Sequence, residues 1–433
     1  MNESINPRNL VTDILLAVDR DGEFSHIAIR NMLDKYRWLP RRDRAFIKRV
    51  SKGTIERRIE LDYIIDSFSS IKVNKMKPVI RAIIRSAVYQ LKYMDSVPDS
   101  AVCNEAVRLA AKRGFSGLRG FVNGVLRTIS READRIVWPS PDEDPVLTLS
   151  VRYSVPEWMA ERFLKSYGME RSCSVLESFL TEKSICVRAD LDRTSPEEVR
   201  RSLESQGIRV TPHDRLPYAF YLDGCDVPEE IPEFAGGILY AQDAASMMVA
   251  ELAQPRDGDF VLDVCAAPGG KSLHAAQMMH GTGLVEARDL TEYKVGMIRE
   301  NISRCRAENV RAVRWDALDF DSESEQKADL VIADLPCSGL GVIGRKPDIK
   351  YRMSEERIRE LARLQRQMLD VVCCYVKPGG TLMYSTCTMT EEENQHNTEW
   401  FLESHPKFRL ESEQQYLPDE GCDGFYIAKI SRQ

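Results

Sequence analysis

From Leu239 onward, short apolar runs alternate with longer amphipathic stretches, and this alternation constrains the fold more than any other feature of the chain. Strands buried on both faces are almost continuously apolar, whereas the helices that connect them carry one apolar face. The segments predicted as strands are 261–264, 284–288, 310–314, 330–333 and 381–385, and those predicted as helices are 272–279, 292–303 and 354–376. The pattern predicts an α/β domain with a mostly parallel, doubly wound sheet.

The front of the chain follows a different pattern, because apolar residues in 5–130 recur at spacings of three and four without competing strand alternation. That spacing predicts an all-α bundle. Three prolines within 138–145 then indicate a linker, and weaker signals for helices and for strands at 184–188 and 208–210 predict a small α/β subdomain. The expected domains are 1–140, 141–235 and 236–433.

Charge divides the chain in the same way. Residues 1–140 contain 26 Lys and Arg against 16 Asp and Glu, whereas the remainder contains 34 against 51. Lys and Arg supply most of the sequence-independent affinity for nucleic acid by neutralising phosphates. The helical front is therefore expected to contact a nucleic acid, although a solvated basic face without a partner would have the same composition.

Other classes of protein fit the sequence poorly. No apolar run approaches the roughly 18 residues of a membrane span, and no signal segment is recognisable at Met1–Arg8, which predicts a cytoplasmic protein without membrane contact. The 11 cysteines are scattered and show no spacing typical of zinc sites or disulfide frameworks, so we expect no metal.

A turn rich in small residues follows the strand at 261–264. Its members are Cys265, Ala266, Ala267, Pro268, Gly269, Gly270 and Lys271. Small residues between a strand and a helix let backbone N–H groups approach an adenine-nucleotide type of cofactor, although a tight turn without a ligand is the alternative. Asp289 ends the next strand, where it could bind ribose hydroxyls, and Asp316 follows the third strand, where it could reach an adenine edge. Each acid alone could equally be a helix N-cap.

Two cysteines follow buried strands, Cys337 after 330–333 and Cys387 after 381–385. The carboxyl ends of parallel strands share one edge of a sheet, so both thiols are expected at the mouth of the cofactor pocket, near Lys271. A thiolate that adds to carbon 6 of cytosine makes carbon 5 able to attack an activated methyl group. Asp334 is placed to assist at N3 of the ring. Position alone leaves open which thiol attacks.

Several longer strings resemble those of one family, the ribosomal RNA cytosine-5 methyltransferases of the RsmB (Sun) type in the NOL1/NOP2/Sun family. The most specific of them are Gln242-Asp-Ala-Ala-Ser246, Asp263-Val-Cys-Ala-Ala-Pro-Gly-Gly-Lys271, Asp334-Leu-Pro-Cys-Ser-Gly339 with its continuation to Lys350, and Tyr384-Ser-Thr-Cys-Thr388. In the front, Val88–Tyr93, Asn104–Val107 and Gly120–Arg127 resemble a NusB-like helical domain. The resemblance extends over nearly the whole chain.

The resemblance implies a NusB-like all-α RNA-binding domain, a small α/β subdomain and a Rossmann-like class I methyltransferase domain that uses S-adenosyl-L-methionine. It implies that Cys387 is the nucleophile and Cys337 the helper that promotes product release. Residues 265–271, Asp289, Asp316 and Asp334 would line the cofactor pocket, and Asp334 and Lys271 would also face the target base.

The resulting hypothesis is a cytosine-5 methyltransferase that acts on small-subunit (16S) ribosomal RNA, unassembled or partly assembled, as a monomer. Two alternatives remain. A non-enzymatic NusB-like RNA-binding protein would explain residues 1–130 but not the turn with the two thiols. An enzyme that methylates transfer RNA or DNA would keep the sheet domain and change the substrate.

Overall fold

The computed structural model describes residues 6–181, 183–225, 228 and 231–433. The chain forms two compact units, which are treated separately below. Unit 1 contains the described residues up to Thr181 together with Ile343–Arg352, and unit 2 contains the described residues from Lys183 to Val342 and Met353–Gln433. Within the described residues, no helix is long and apolar enough to cross a membrane.

Unit 1 is helical, as predicted for 5–130. Its helices are α1 Pro7–Asp19, α2 Ser25–Lys35, α3 Arg41–Glu56, α4 Arg58–Phe68, α5 Pro78–Tyr93, α6 Asp99–Lys112, α7 Arg119–Glu132, α8 Pro145–Tyr153 and α9 Glu157–Ser178. The first begins where the Asn6 side chain accepts a hydrogen bond from the Arg8 amide and proline occupies the first helical position. Leu10, Ile14 and Leu15 then form an apolar stripe in the core of the bundle.

Pro145 both closes the proline-rich stretch and begins α8, where Asp144 accepts a hydrogen bond from the Leu147 amide. A proline is favourable at the first position of a helix because its missing N–H group would have no helical partner there. The stretch that the sequence predicts as a linker therefore ends in a helix start.

A small antiparallel sheet opens unit 2. Its strands are β1 Ile185–Ala189, β2 Arg209–Pro212, β3 Ala219–Asp223 and β4 Leu239–Ala241, in the order β2-β3-β1-β4, and the accompanying helices are α10 Pro196–Ser205 and α11 Pro232–Ala235. The predicted α/β character of this subdomain is confirmed. The sequence analysis located β1 and β2 within two residues of their bounds but predicted neither β3 nor β4.

The large sheet of unit 2 has seven strands in the order β10-β11-β9-β8-β5-β6-β7. Its strands are β5 Phe260–Asp263, β6 Leu284–Asp289, β7 Val310–Arg314, β8 Ala328–Asp334, β9 Val376–Thr386, β10 Phe408–Tyr416 and β11 Phe425–Arg432. The helices are α12 Ala244–Ala253, α13 Gly270–Met278, α14 Glu292–Cys305, α16 Glu355–Val372 and α17 Gln395–Ser404, whereas the intervening α15, Ile349–Arg352, belongs to unit 1. β11 is antiparallel to both of its neighbours, β10 and β9, and the other strand pairs of this sheet are parallel.

The order of the strands confirms the doubly wound sheet and locates its ligand edge. The chain proceeds from β5 through β6 to β7 on one side and returns to β8 and β9 on the other. A crevice forms at such a reversal, beyond the carboxyl ends of the strands, and ligands of open α/β sheets bind there. The residues that the sequence analysis selected for chemistry lie at or just beyond the carboxyl ends of β5, β6, β7, β8 and β9, at this edge.

Candidate active site

The turn after β5 is held by backbone hydrogen bonds on both sides of the crevice. The Val264 amide donates to the Ile332 carbonyl at 3.1 Å, and the Ala266 amide donates to the Arg288 carbonyl at 2.8 Å. Gly269 has a φ of 105°, which favours glycine, and it is the residue at which the chain enters α13. The turn is thus fixed to β6 and β8, and the first amides of α13, which lack partners within the helix, follow it directly.

Two predicted cofactor-binding acids lie at the ends of neighbouring strands. Asp289 ends β6, and its carboxylate accepts a hydrogen bond from the Ala267 amide at 3.0 Å and pairs with Lys294 at 3.0 Å. Asp316 lies two residues beyond β7 and accepts from the Leu318 amide. The leucines beside them, Leu290 and Leu318, are 52% and 39% exposed although both are large and apolar. Apolar side chains left exposed beside the two acids are suited to contact with a flat ring of a ligand.

Asp263 was not predicted as a site residue, yet it is buried at the end of β5 behind the turn. Its Oδ2 accepts a hydrogen bond from Ser272 at 2.6 Å, and its Oδ1 is buried without a hydrogen-bond partner among the described residues. Burial raises the pKa of Asp263 to about 7, although Ser272 and Lys271 oppose the rise. An unsatisfied carboxylate oxygen at this edge suits a ligand that carries a cationic or N–H group.

We expect Asp263→Asn to change the pH dependence of stability. Because the pKa of Asp263 is higher in the folded protein than in the unfolded chain, its contribution to stability is complete at low pH and is lost as the pH rises toward 7. The free energy of unfolding of the variant, relative to the wild type, should rise by about 1.4 kcal/mol per pH unit between roughly pH 5 and 7. Denaturant titrations at both pH values measure this difference, with the exposed Asp319→Asn as control. A constant difference would contradict the assignment.

The two thiols selected from the sequence lie together, as predicted. Cys337 and Cys387 have their sulfur atoms 3.2 Å apart, and either thiol could donate the hydrogen bond. The backbone maintains this arrangement, since the Leu335 amide donates to the Ser385 carbonyl and the Gly341 amide donates to the Cys387 carbonyl at 3.0 Å. The loop that carries one cysteine thus binds the strand end that carries the other.

An ion pair lies at the same edge of the sheet. Lys271 Nζ donates to Asp334 Oδ2 at 2.7 Å, and Ser385 Oγ donates to Asp334 Oδ1 at 2.8 Å. Burial disfavours the charge on Lys271, but Asp334, Asp263 and Cys387 together raise the pKa of the lysine. Because the ammonium group of Lys271 interacts electrostatically with Cys387, it also stabilises a thiolate there. Asp334 keeps 27% of its side chain exposed and can therefore reach a ligand in the crevice.

Cys265 is also at this edge but differs from the paired thiols. Burial is the main cause of its raised pKa, and the carboxylates of Asp289, Asp263 and Asp334 add to the rise. A thiol so strongly held in its neutral form is a poor nucleophile. Cys265 can thus contribute shape to the turn but not a reactive thiolate.

We expect Gly341→Ala to disturb the pair of thiols. A Cβ atom at Gly341 would overlap the backbone of Gly424, whose amide donates to the Gly341 carbonyl at 2.9 Å. The loop would have to shift away from Cys387, and a displacement near 1 Å in such a site lowers turnover on the order of 10²-fold. Turnover and thermal unfolding measure the effect. Gly296→Ala in α14 is the matched control, because nothing lies within 4 Å of its Cβ position. Unchanged turnover in Gly341→Ala would contradict this role of the loop.

The structure adds three residues that the sequence analysis did not select for a role. Ser385 and Asp263 lie inside motif strings but were not selected, and Glu393 lies in the turn after β9, fully buried. A serine at a strand end carries no distinctive signal. Asp263 closes an apolar strand, which is a weak signal, whereas Glu393 is the last of three consecutive glutamates and local sequence does not distinguish it.

Models of three families match successive parts of the chain. The family described as 16S rRNA methyltransferase RsmB/F matches residues 250–431. The NusB family matches residues 5–131, and a ferredoxin-like domain of RsmF/B-like methyltransferases matches residues 155–228. The last match overlaps the small sheet and the helices before it.

Similar proteins match over almost the entire chain. A probable ribosomal RNA small subunit methyltransferase B from Bacillus subtilis (strain 168) is 33% identical, over 98% of this chain and 98% of its own length. The ribosomal RNA small subunit methyltransferase B of Vibrio cholerae is 32% identical over 90% of both chains. Among solved structures, that of PH0851 has a TM-score of 0.84, with 25% identity over 99% of each chain. A methyltransferase homologue from Pyrococcus horikoshii has a TM-score of 0.59 and 26% identity, over 67% of this chain and 99% of that one.

Proposed function

Because this chain belongs to the family of ribosomal RNA small subunit methyltransferases B, we propose that it methylates carbon 5 of a cytidine in small-subunit (16S) ribosomal RNA through a covalent cysteine–cytosine adduct. The observation that carries the proposal is the pair of thiols 3.2 Å apart at the ligand edge of the sheet, beside the Lys271–Asp334 ion pair. Methylation of a ring nitrogen or of ribose would not require a nucleophilic thiol.

The residues of the crevice fit S-adenosylmethionine, the methyl donor of this methyltransferase family. The donor supplies an electrophilic methyl group on a cationic sulfur. The turn at 265–271 would approach it through backbone amides, Asp289 would bind its ribose, and Asp316 would reach its adenine edge, with Leu290 and Leu318 against the ring. The unsatisfied Oδ1 of Asp263 fits its amino group.

The proposed reaction starts at Cys387. Its thiolate sulfur forms a bond to carbon 6, and the electron pair of the carbon 5–carbon 6 double bond becomes available at carbon 5. Negative charge grows toward N3, where the Lys271–Asp334 pair supplies a proton or hydrogen bond to the ring edge. Carbon 5 would then bond to the methyl carbon of the donor, and the bond between that carbon and the donor's sulfur would break, its electron pair leaving with the sulfur. This geometry requires an unpaired or flipped base, because a thiol cannot approach carbon 6 within a stacked helix.

Release of the product breaks the bond between the Cys387 sulfur and carbon 6. Loss of the proton from carbon 5 returns an electron pair to the carbon 5–carbon 6 bond, and the Cys387 sulfur departs with the electrons of the C–S bond. The Cys337 thiol, 3.2 Å away, would donate a hydrogen bond to this departing sulfur. Its proton is firmly held, because the hydrogen bond to Cys387 and burial raise the pKa of Cys337.

Parallel methylation assays test the substrate. The purified protein is incubated with methyl-labelled S-adenosylmethionine and unmodified small-subunit ribosomal RNA, transfer RNA or DNA, and the nucleosides are then separated. The proposal predicts label in 5-methylcytidine from ribosomal RNA alone. Label only in transfer RNA or DNA would overturn the assignment of ribosomal RNA as the substrate. Label in a nucleoside other than 5-methylcytidine would overturn the assignment of methylation to carbon 5.

A further inference from the structure

Glu393 carries a carboxylate in the interior of unit 2. The residue is fully buried, and in the described part of the chain no Lys or Arg forms an ion pair with it. Its Oε1 accepts hydrogen bonds from the Ser338 amide at 2.8 Å and Gln365 Nε2 at 3.1 Å. Its Oε2 accepts from Ser338 Oγ at 2.5 Å and Thr390 Oγ1 at 2.7 Å. A buried charge is costly unless it is satisfied in this way, so the four donors act as a dedicated cradle.

The cradle joins the two loops that carry the thiols. Ser338 directly follows Cys337, and it binds Glu393 through both its amide and its hydroxyl group. The same hydroxyl group is 2.7 Å from Thr388 Oγ1, and Thr388 directly follows Cys387. A single carboxylate therefore holds the residue after Cys337 directly and the residue after Cys387 through Ser338 Oγ, and loss of its charge would loosen both loops together.

Charged groups act on both thiols of the pair. Cys337 is faced by Cys387, Glu393 and Asp334, whose negative charges add to the effects of the Cys387 hydrogen bond and burial that raise the pKa of Cys337. Cys387 interacts with the ammonium group of Lys271. Negative charge opposes a thiolate at the first sulfur, whereas positive charge favours one at the second.

We propose that Glu393 is the positioning residue that holds the two thiols against each other and keeps Cys337 the uncharged member of the pair, so that Cys387 is the nucleophile. The catalytic consequence rests on the proposed function. The effect on the thiols does not, since it concerns groups of this chain alone. Two measurements separate the two statements.

The first measurement is thiol alkylation without RNA. Wild type, Glu393→Gln and the control Glu391→Gln are treated with iodoacetamide, and tandem mass spectrometry follows each cysteine separately. Glu391 lies in the same turn with 65% of its side chain exposed, so its variant should match the wild type. In Glu393→Gln, alkylation of Cys337 should accelerate roughly threefold or more, as for a fall of half a pKa unit, with a smaller change at Cys387. Unchanged alkylation of Cys337 in folded protein overturns the proposal.

Ser338→Ala provides a second variant should Glu393→Gln fail to fold. It removes the hydroxyl group that bonds to Glu393 and Thr388 but keeps the backbone amide that donates a hydrogen bond to Glu393. Because the link between the two loops is lost while the charge of Glu393 remains, Cys337 should be freed from Cys387 and alkylated faster than in the wild type, and no acceleration in folded Ser338→Ala overturns the positioning role.

The second measurement is turnover with the RNA substrate. Glu393→Gln should lower kcat by about tenfold or more, with KM for RNA and affinity for S-adenosylmethionine nearly unchanged, because the binding surfaces stay in place. A rise in KM with unchanged kcat overturns the positioning role. Absence of methyl transfer by the wild type on every nucleic acid would instead overturn the proposed function, while the alkylation result still decides the role of Glu393.

Discussion

Cys387→Ala should abolish methyl transfer, with turnover reduced on the order of 10⁴-fold or more, as when an enzyme loses its nucleophile. Without the sulfur, carbon 5 of cytosine has no route to becoming nucleophilic. The substitution leaves the turn at 265–271 and the acids Asp289 and Asp316 untouched, so binding of S-adenosylmethionine should persist. Calorimetric titration with the methyl donor and turnover assays measure the two properties separately.

Cys305→Ala is the matched control, because this partly buried cysteine ends α14, away from the pair of thiols. It should retain full turnover. Substantial turnover by Cys387→Ala would contradict the covalent route. If that variant also failed to bind the cofactor, its loss of turnover would reflect a damaged cofactor pocket and not the missing nucleophile.

Cys337→Ala should leave the enzyme attached to its RNA. The bond from Cys387 to carbon 6 can still form, but the departing sulfur loses the hydrogen bond that Cys337 donates across 3.2 Å. Release should therefore become much slower than attachment. Denaturing electrophoresis should reveal a protein–RNA species that withstands unfolding and that is absent from the wild type.

The double variant Cys337→Ala with Cys387→Ala separates this result from non-specific cross-linking, because it should show no adduct. Rapid turnover by Cys337→Ala without any adduct would contradict the role of this thiol in release. An adduct that persists in the double variant would show that another residue makes the bond.

The sequence predicted the strands whose own residues show that they are buried. β5 and β8 are apolar along nearly their whole length because helices cover both faces, and the strands at 261–264 and 330–333 were located correctly. β10 has the sequence FRLESEQQY, and most of its residues are exposed or half-buried. An edge strand of this kind gains its structure from pairing with β11, which its own residues do not indicate.

For the segment Ile343–Arg352, its own residues likewise do not indicate the unit to which it belongs. Its sequence continues the motif that begins at Asp334, yet in the structure it belongs to unit 1. There Lys350 is almost completely buried and donates to the Glu56 carbonyl at 2.8 Å, and Tyr351 lies beneath Arg58. The partners of both residues come from helices nearly 300 positions earlier, so no local pattern could predict the assignment.

Within the site, sequence patterns predicted reactive groups but not the groups that hold them. Cys337, Cys387, Lys271 and Asp334 are recognisable because reactive residue types follow apolar strands. Glu393 acts through Ser338, 55 residues away, and its role depends on contacts that only the folded chain creates.

The central claim is that Cys387 bonds to the base, and a trapped adduct tests it most directly. Small-subunit RNA transcribed with 5-fluorocytidine has fluorine in place of the carbon 5 proton, so elimination is blocked after methyl transfer. Wild-type protein is incubated with this RNA and S-adenosylmethionine and then digested, and mass spectrometry identifies the residue that carries the nucleotide. The account predicts a modified cytidine on Cys387. A nucleotide on Cys337, or no adduct from protein that methylates ordinary RNA at carbon 5, would contradict it.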